Sequence, residues 1–167
     1  MIQVFSLILV LNVIQSDISS IRKAFKAAIY SREETTKLLD ELKYITEDEP
    51  LKFAYKGATH ALFAQYQVNP YSKLESVKKG SAMLDDAVIV ASGNIEIRYL
   101  RYSIEKNLPS FLPYRKHIAQ DETRILNALL EKKDALEPHV RSEVIQYMLK
   151  NAQLSPEKKT SLEEMVN

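Results

Sequence analysis

Residues 72–94 read SKLESVKKGSAMLDDAVIVASGN. Leu74, Val77, Gly80, Leu84, Ala87 and Val88 return at intervals of three and four, the spacing of one face of an α-helix. Taken alone, residues 87–91 could pass for a strand, because they hold Val88, Ile89 and Val90. Their place at the end of a long helical stripe assigns them to the helix instead. Ser92-Gly93-Asn94 closes the segment, with Gly93 predicted as a left-handed cap.

The same period extends outward on both sides, and no run of five to eight residues alternates apolar with polar. Upstream, Ile18, Ile21, Phe25, Ala28 and Ile29 mark a helix over about residues 17–30. Ser31 with Glu34 forms a capping-box pattern that opens a second helix, carrying Leu38, Leu39 and Leu42, to about residue 45. Glu47-Asp48-Glu49 precedes Pro50, where negative charge and proline both suit a helix start. The third helix holds Gly57, Ala58, Ala61 and Ala64 among larger apolar residues. Side chains this small predict a close helix crossing, with Gly57 and Gly80 at the contact. Asn69-Pro70 reads as a turn. Downstream, a helix is predicted over about residues 95–106, followed by a two-proline connector, 108–113. Another helix is expected from near Tyr114, with Asp121 capping its continuation to about residue 136. Pro138 and Ser155-Pro156 open the last two. The expected fold is all-α, an antiparallel array of about seven to nine helices, with residues 17–167 as one domain.

Composition narrows the function classes. Among 167 residues, 23 Lys and Arg face 22 Asp and Glu, so there is none of the basic excess of a nucleic-acid-binding domain. Absence of cysteine excludes disulfides, thiolate metal sites and cysteine nucleophiles. Three glycines, at positions 57, 80 and 93, are too scattered for a dinucleotide fingerprint or a P-loop. No cofactor is therefore expected.

Residues 1–16 carry the most apolar stretch, from Ile2 to Ile14. Its dense centre, Val4 to Leu11, has the length of a signal-peptide core and is too short to span a bilayer, so no integral membrane span is expected. No Lys or Arg precedes it, and Ile14 fits poorly at the −3 position of a cleavage site after Ser16. Two readings follow: a leader that places the mature protein in an exported or periplasmic setting, or an apolar first helix of a cytoplasmic protein.

The stretch from Phe53 to Ile104 resembles an irregular tetratricopeptide repeat (TPR) region. The resemblance rests on Tyr55-Lys56-Gly57 and Ala61 in one helix, then Gly80, Leu84, Ala87 and Val90 in the next. Ile97, Tyr99, Leu100 and Tyr102 match the opening of a following repeat loosely. Ser92-Gly93 stands where that pattern has proline, and the flanks do not repeat at the TPR period. Taken whole, the chain is similar to a small group of bacterial α-helical proteins of unassigned activity that often carry a leader. They share segments like YKGA, NPYSKL, NIEIRYLRYSI and LPSFL. The TPR likeness implies paired antiparallel helices and a protein or peptide partner.

Motifs that would carry chemistry are sparse. His60, His117 and His139 form no HExxH pattern and no i, i+4 pair, so no metal site is expected. A zinc site would need carboxylates brought from elsewhere in the chain. Asp85-Asp86 diverge by about 100° on a helix and make no dyad alone. Ser81 follows Gly80 inside a helix, outside the strand–turn–helix setting of a nucleophile elbow. The richest cluster is RYLRY, residues 98–102. Arg98, Arg101, Tyr102 and Glu105 share one face at i, i+3, i+4 and i+7, beside an apolar stripe of Ile97, Leu100, Ile104 and Leu108. Structurally, each arginine would pack its stem and pair with Glu96, Glu105 or Asp86. Functionally, the same forks and tyrosine would present a groove to an anionic peptide end. Arg115-Lys116-His117 forms a second, weaker basic cluster.

The reading that results is an interaction protein with a helical groove and a protein or peptide partner. Its candidate binding residues are Arg98, Arg101, Tyr102, Glu105, Arg115 and His117, and no catalytic residue is assigned. One alternative is a small enzyme with a site assembled from Glu96, Arg98, Arg101, Tyr102 and His117. The other is a structural subunit of a homo-oligomer.

Overall fold

A computed structural model describes residues 17–166. The leader or first-helix reading of residues 1–16 lies outside the described residues. Among those described, eight α-helices follow one another with no strand: α1 (Ile18–Ala28), α2 (Arg32–Glu41), α3 (Pro50–Phe63), α4 (Pro70–Val90), α5 (Ile95–Asn107), α6 (Ile118–Leu130), α7 (Pro138–Asn151) and α8 (Pro156–Glu163). A 3₁₀ turn, Ala64–Tyr66, extends α3. No helix among the described residues is long and apolar enough to cross a membrane.

Local chemistry sets most of the boundaries. Pro50, Pro70, Pro138 and Pro156 each occupy the first turn of a helix, where the missing N–H costs nothing. The Ser31 hydroxyl accepts the Glu34 N–H, the Asn94 side-chain Oδ1 accepts the Ile97 N–H, and the Ser155 hydroxyl accepts the Lys158 N–H. Asn69 caps α4, so that helix starts at Pro70 rather than after a separate turn.

Several predicted boundaries are corrected. No glycine among the described residues has a positive φ, so Gly93 is not a left-handed cap. That conformation belongs to Lys132, with φ 54°. The Lys133 N–H reaches the Ala128 carbonyl and the Lys132 N–H reaches that of Leu129, the paired bonds of a Schellman cap. This cap ends α6 at Leu130, short of residue 136. Asp121 does not cap α6: His117 is the N-cap, and Asp121 lies in the first turn. α2 stops at Glu41, and the Lys56 ammonium group ties down the chain beyond it by donating to the carbonyls of Lys43 and Ile45.

α3 and α4 cross antiparallel at the two interior glycines. A Cβ on Gly80 would lie 2.5 Å from both the Ala61 nitrogen and the Gly57 carbonyl oxygen. One on Gly57 would lie 2.9 Å from the Met83 Cβ and 3.0 Å from the Gly80 carbonyl oxygen. The helices meet backbone to backbone because neither residue has a side chain.

Two apolar cores lie on either side of α5. Ile97 and Leu100 join the core of α1 to α4, around Ile21, Leu38, Phe53 and Leu84. Tyr102 joins the core of α6 to α8, around Ile125, Leu129, Val144 and Leu162. α5 is thus covered on two sides. Glu96, Arg98, Arg101 and Glu105 are buried between its apolar positions and must find partners within the fold.

Candidate functional site

Arg98 and Arg101 lie one turn apart on α5, and α6 brings Asp121 against both. Arg98 Nη1 donates to Asp121 Oδ1 at 2.8 Å. Arg101 grips the same carboxylate as a fork, Nε to Oδ2 at 2.7 Å and Nη2 to Oδ1 at 2.9 Å. Asp121 is 0% exposed. Arg98 Nε also donates to the Ser92 carbonyl at 2.8 Å, and Arg101 Nη1 donates to Asp85 Oδ1 on α4 at 2.9 Å. The predicted face therefore exists, but its forks are filled from within the fold. Asp85 is the half-buried member of the Asp85-Asp86 pair, while Asp86 faces solvent.

Glu105 pairs with His117 rather than with Arg101, one turn before it on α5. Its buried carboxylate accepts the His117 backbone N–H at 2.8 Å and contacts the His117 Nδ1 at 2.7 Å. An anion at the exposed N–H groups that open α6 is favoured by the helix dipole. The His117 Nδ1 also stands 3.4 Å from Asp85 Oδ1. Asp85, Glu105 and His117 thus converge from α4, α5 and the start of α6, with one ligand atom of each within 4.8 Å of the others.

A second buried network joins the first helix to the rest. Arg22 forks onto Glu96, Nε to Oε1 and Nη2 to Oε2, both at 2.7 Å. The Tyr55 hydroxyl donates to Glu96 Oε1 at 2.8 Å, and Arg22 Nη1 reaches Glu137 at 2.8 Å. Burial, then the Glu96 charge, pushes the Tyr55 hydroxyl well above the usual phenol range. The Glu96 hydrogen bond raises Arg22 further still against the opposing effect of its burial. Both shifts hold Tyr55 neutral and Arg22 charged.

The remaining candidates disperse. Tyr102 is buried, with its hydroxyl donating to Glu122 at 2.7 Å and its ring edge-on to Tyr147. Arg115 is half-buried beside exposed Lys116 and forms no ion pair among the described residues. His60 and His139 stand apart from His117: burial, then Lys79 and Lys56, lowers His60 to about 4, and His139 is exposed beside Glu137. Sequence reasoning missed Arg22, Asp121 and Asp85 as partners. Two of these left a signal. Arg22 lies four residues after Ile18, and Asp121 three after Ile118 and four before Ile125, so each is a charge on an apolar stripe.

A groove of about 530 Å³ opens elsewhere, where the end of α3 and the start of α4 meet the end of α5 and the connector after it. Leu62, Leu74, Val77, Ile104, Leu108 and Leu112 supply apolar walls, and Gln65, Lys73 and Asn107 are the polar side chains along it. Phe111 stands at its edge, 82% exposed. Comparison with protein families, curated proteins and solved structures finds no match to this chain.

Proposed function

We propose that this protein is a non-enzymatic binding module that takes an apolar segment of a protein partner into the groove between α3, α4, α5 and the connector. The observation that carries the reading is the open apolar groove with Phe111 exposed at its edge. An exposed apolar concavity with an aromatic rim suits a partner's aliphatic or aromatic anchors. Among the described residues that line it, Lys73 is the one ionisable side chain. The arginine face supports binding less well, because Asp121 and Asp85 already occupy its donors. The glycine crossing of α3 on α4 supports a TPR-like pairing of these two helices.

Selection of displayed random peptides against the protein tests this. Apolar and aromatic sequences should be enriched, and Leu74→Glu should weaken the selected peptides by about tenfold or more with the helical circular dichroism unchanged. Failure to enrich any peptide, or binding that Leu74→Glu leaves untouched, would reject the groove as the binding site.

A further inference from the structure

We infer that Asp85, Glu105 and His117 form a binding site for a divalent transition-metal ion of the zinc type. The site is separate from the groove and does not rest on the reading of it. Three observations converge. The first is the donor set: one imidazole nitrogen and two carboxylate oxygens, from three different elements, all within 4.8 Å of one another. Zinc takes imidazole and carboxylate ligands at about 2.0–2.2 Å, which places neighbouring tetrahedral ligands about 3.3 Å apart. The His117 Nδ1 is 2.7 Å from Glu105 Oε1 and 3.4 Å from Asp85 Oδ1, so small side-chain rotations suffice.

The second observation is charge. Asp85 and Asp121 meet two guanidiniums, Arg98 and Arg101, while the third carboxylate, Glu105, meets His117. Asp121 takes the fork of Arg101 and a bond from Arg98, and only one further guanidinium nitrogen reaches Asp85. Among the described residues, buried Glu105 is left with His117 alone. One carboxylate in excess at a partly buried site favours a cation there. Arg101 holds the same Asp85 oxygen that faces His117, as outer-shell groups orient metal-ligating carboxylates.

The third is Ser81. Its hydroxyl is buried and has no hydrogen-bond partner, although buried hydroxyls are normally satisfied. It stands one turn before Asp85 on the same face of α4, and a water on the ion would give this hydroxyl a partner. Three protein ligands with an open fourth position is the arrangement that leaves room for such a water.

Isothermal titration of the full chain with Zn²⁺ tests the assignment. One equivalent should bind with micromolar affinity or better. His117→Gln and Asp85→Asn should each weaken it by about tenfold or more, while His60→Gln and His139→Gln leave it unchanged. Absence of binding, or binding insensitive to His117→Gln, overturns the site and leaves His117 as a plain partner of Glu105. Should either site variant unfold, the unaltered chain decides the question when loaded with Co²⁺. Paramagnetic broadening centred on the amides of residues 85, 105 and 117 supports the site, and broadening centred elsewhere overturns it.

Discussion

Asp121 accepts hydrogen bonds from two guanidiniums while its own side chain has no contact with solvent. Its removal would leave buried Arg98 without a carboxylate and Arg101 with Asp85 alone, and breaking a buried pair costs about 3–5 kcal/mol. Asp121→Asn should therefore lose stability on that scale in urea-induced unfolding. Arg101→Lys keeps the charge but cannot span both carboxylate oxygens and reach Asp85 as well, and a loss of about 1–3 kcal/mol is expected. An Arg101→Lys protein as stable as the parent would show that the fork contributes nothing. The same residues explain why α6 starts where it does. Asp121 in its first turn and the Glu105 carboxylate at the His117 N–H both place negative charge at the positive end of the helix.

Among the elements, α3 and α4 show how a helix pair depends on a missing side chain. A Cβ on Gly80 would collide with the backbone of α3, which cannot yield without the helices separating. Gly80→Ala should cost at least the upper part of the about 1–3 kcal/mol range of overpacked cores. Gly93 provides the contrast, since a Cβ there meets nothing within 4 Å and its φ is not positive. Gly93→Ala should be neutral or stabilise by about 0.4–1 kcal/mol, through the narrower unfolded ensemble. Thermal unfolding of the two variants side by side checks both, and equal melting temperatures would contradict the crossing geometry.

For the whole molecule, acid stability is where His60 shows. Burial, followed by the neighbouring charges of Lys79 and Lys56, lowers its folded value from 6.5 to about 4. The unfolded chain then binds a proton that the folded chain resists, so stability falls as pH drops from 6.5 toward 4. Partial solvent contact of the ring reduces the effect to about 1–2 kcal/mol. His60→Gln should lose that much less than the parent between pH 7 and pH 4.5, as measured by chemical denaturation at each pH. Identical pH profiles would show that His60 protonates freely in the fold. The two cores give the molecule its other large-scale feature. They share α5, so polar contacts from α1, α3, α4, α6 and α7 all converge on one 13-residue helix.

The helices, their order and most of their starts were legible in the chain itself. Each depends on contacts within about four residues: apolar spacing at three and four, a proline in the first turn, a serine or asparagine one step before it. The close crossing at Gly57 and Gly80 was legible for the same reason, since a glycine inside a helical stripe signals a missing side chain. Where an end depended on backbone geometry, as at Lys132, the local pattern misplaced it. Choice of charge partner was decided only by the tertiary structure. Glu96, Glu105, Asp85, Asp86 and Asp121 are equivalent as acids along the chain. Asp121 meets Arg98 and Arg101, Glu96 meets Arg22, and Glu105 meets His117 because of which helix faces pack together. The groove arose in the same way. Leu74, Ile104 and Leu112 look like ordinary core residues in sequence, and they remain accessible because no described helix packs over the place where α4, α5 and the connector meet.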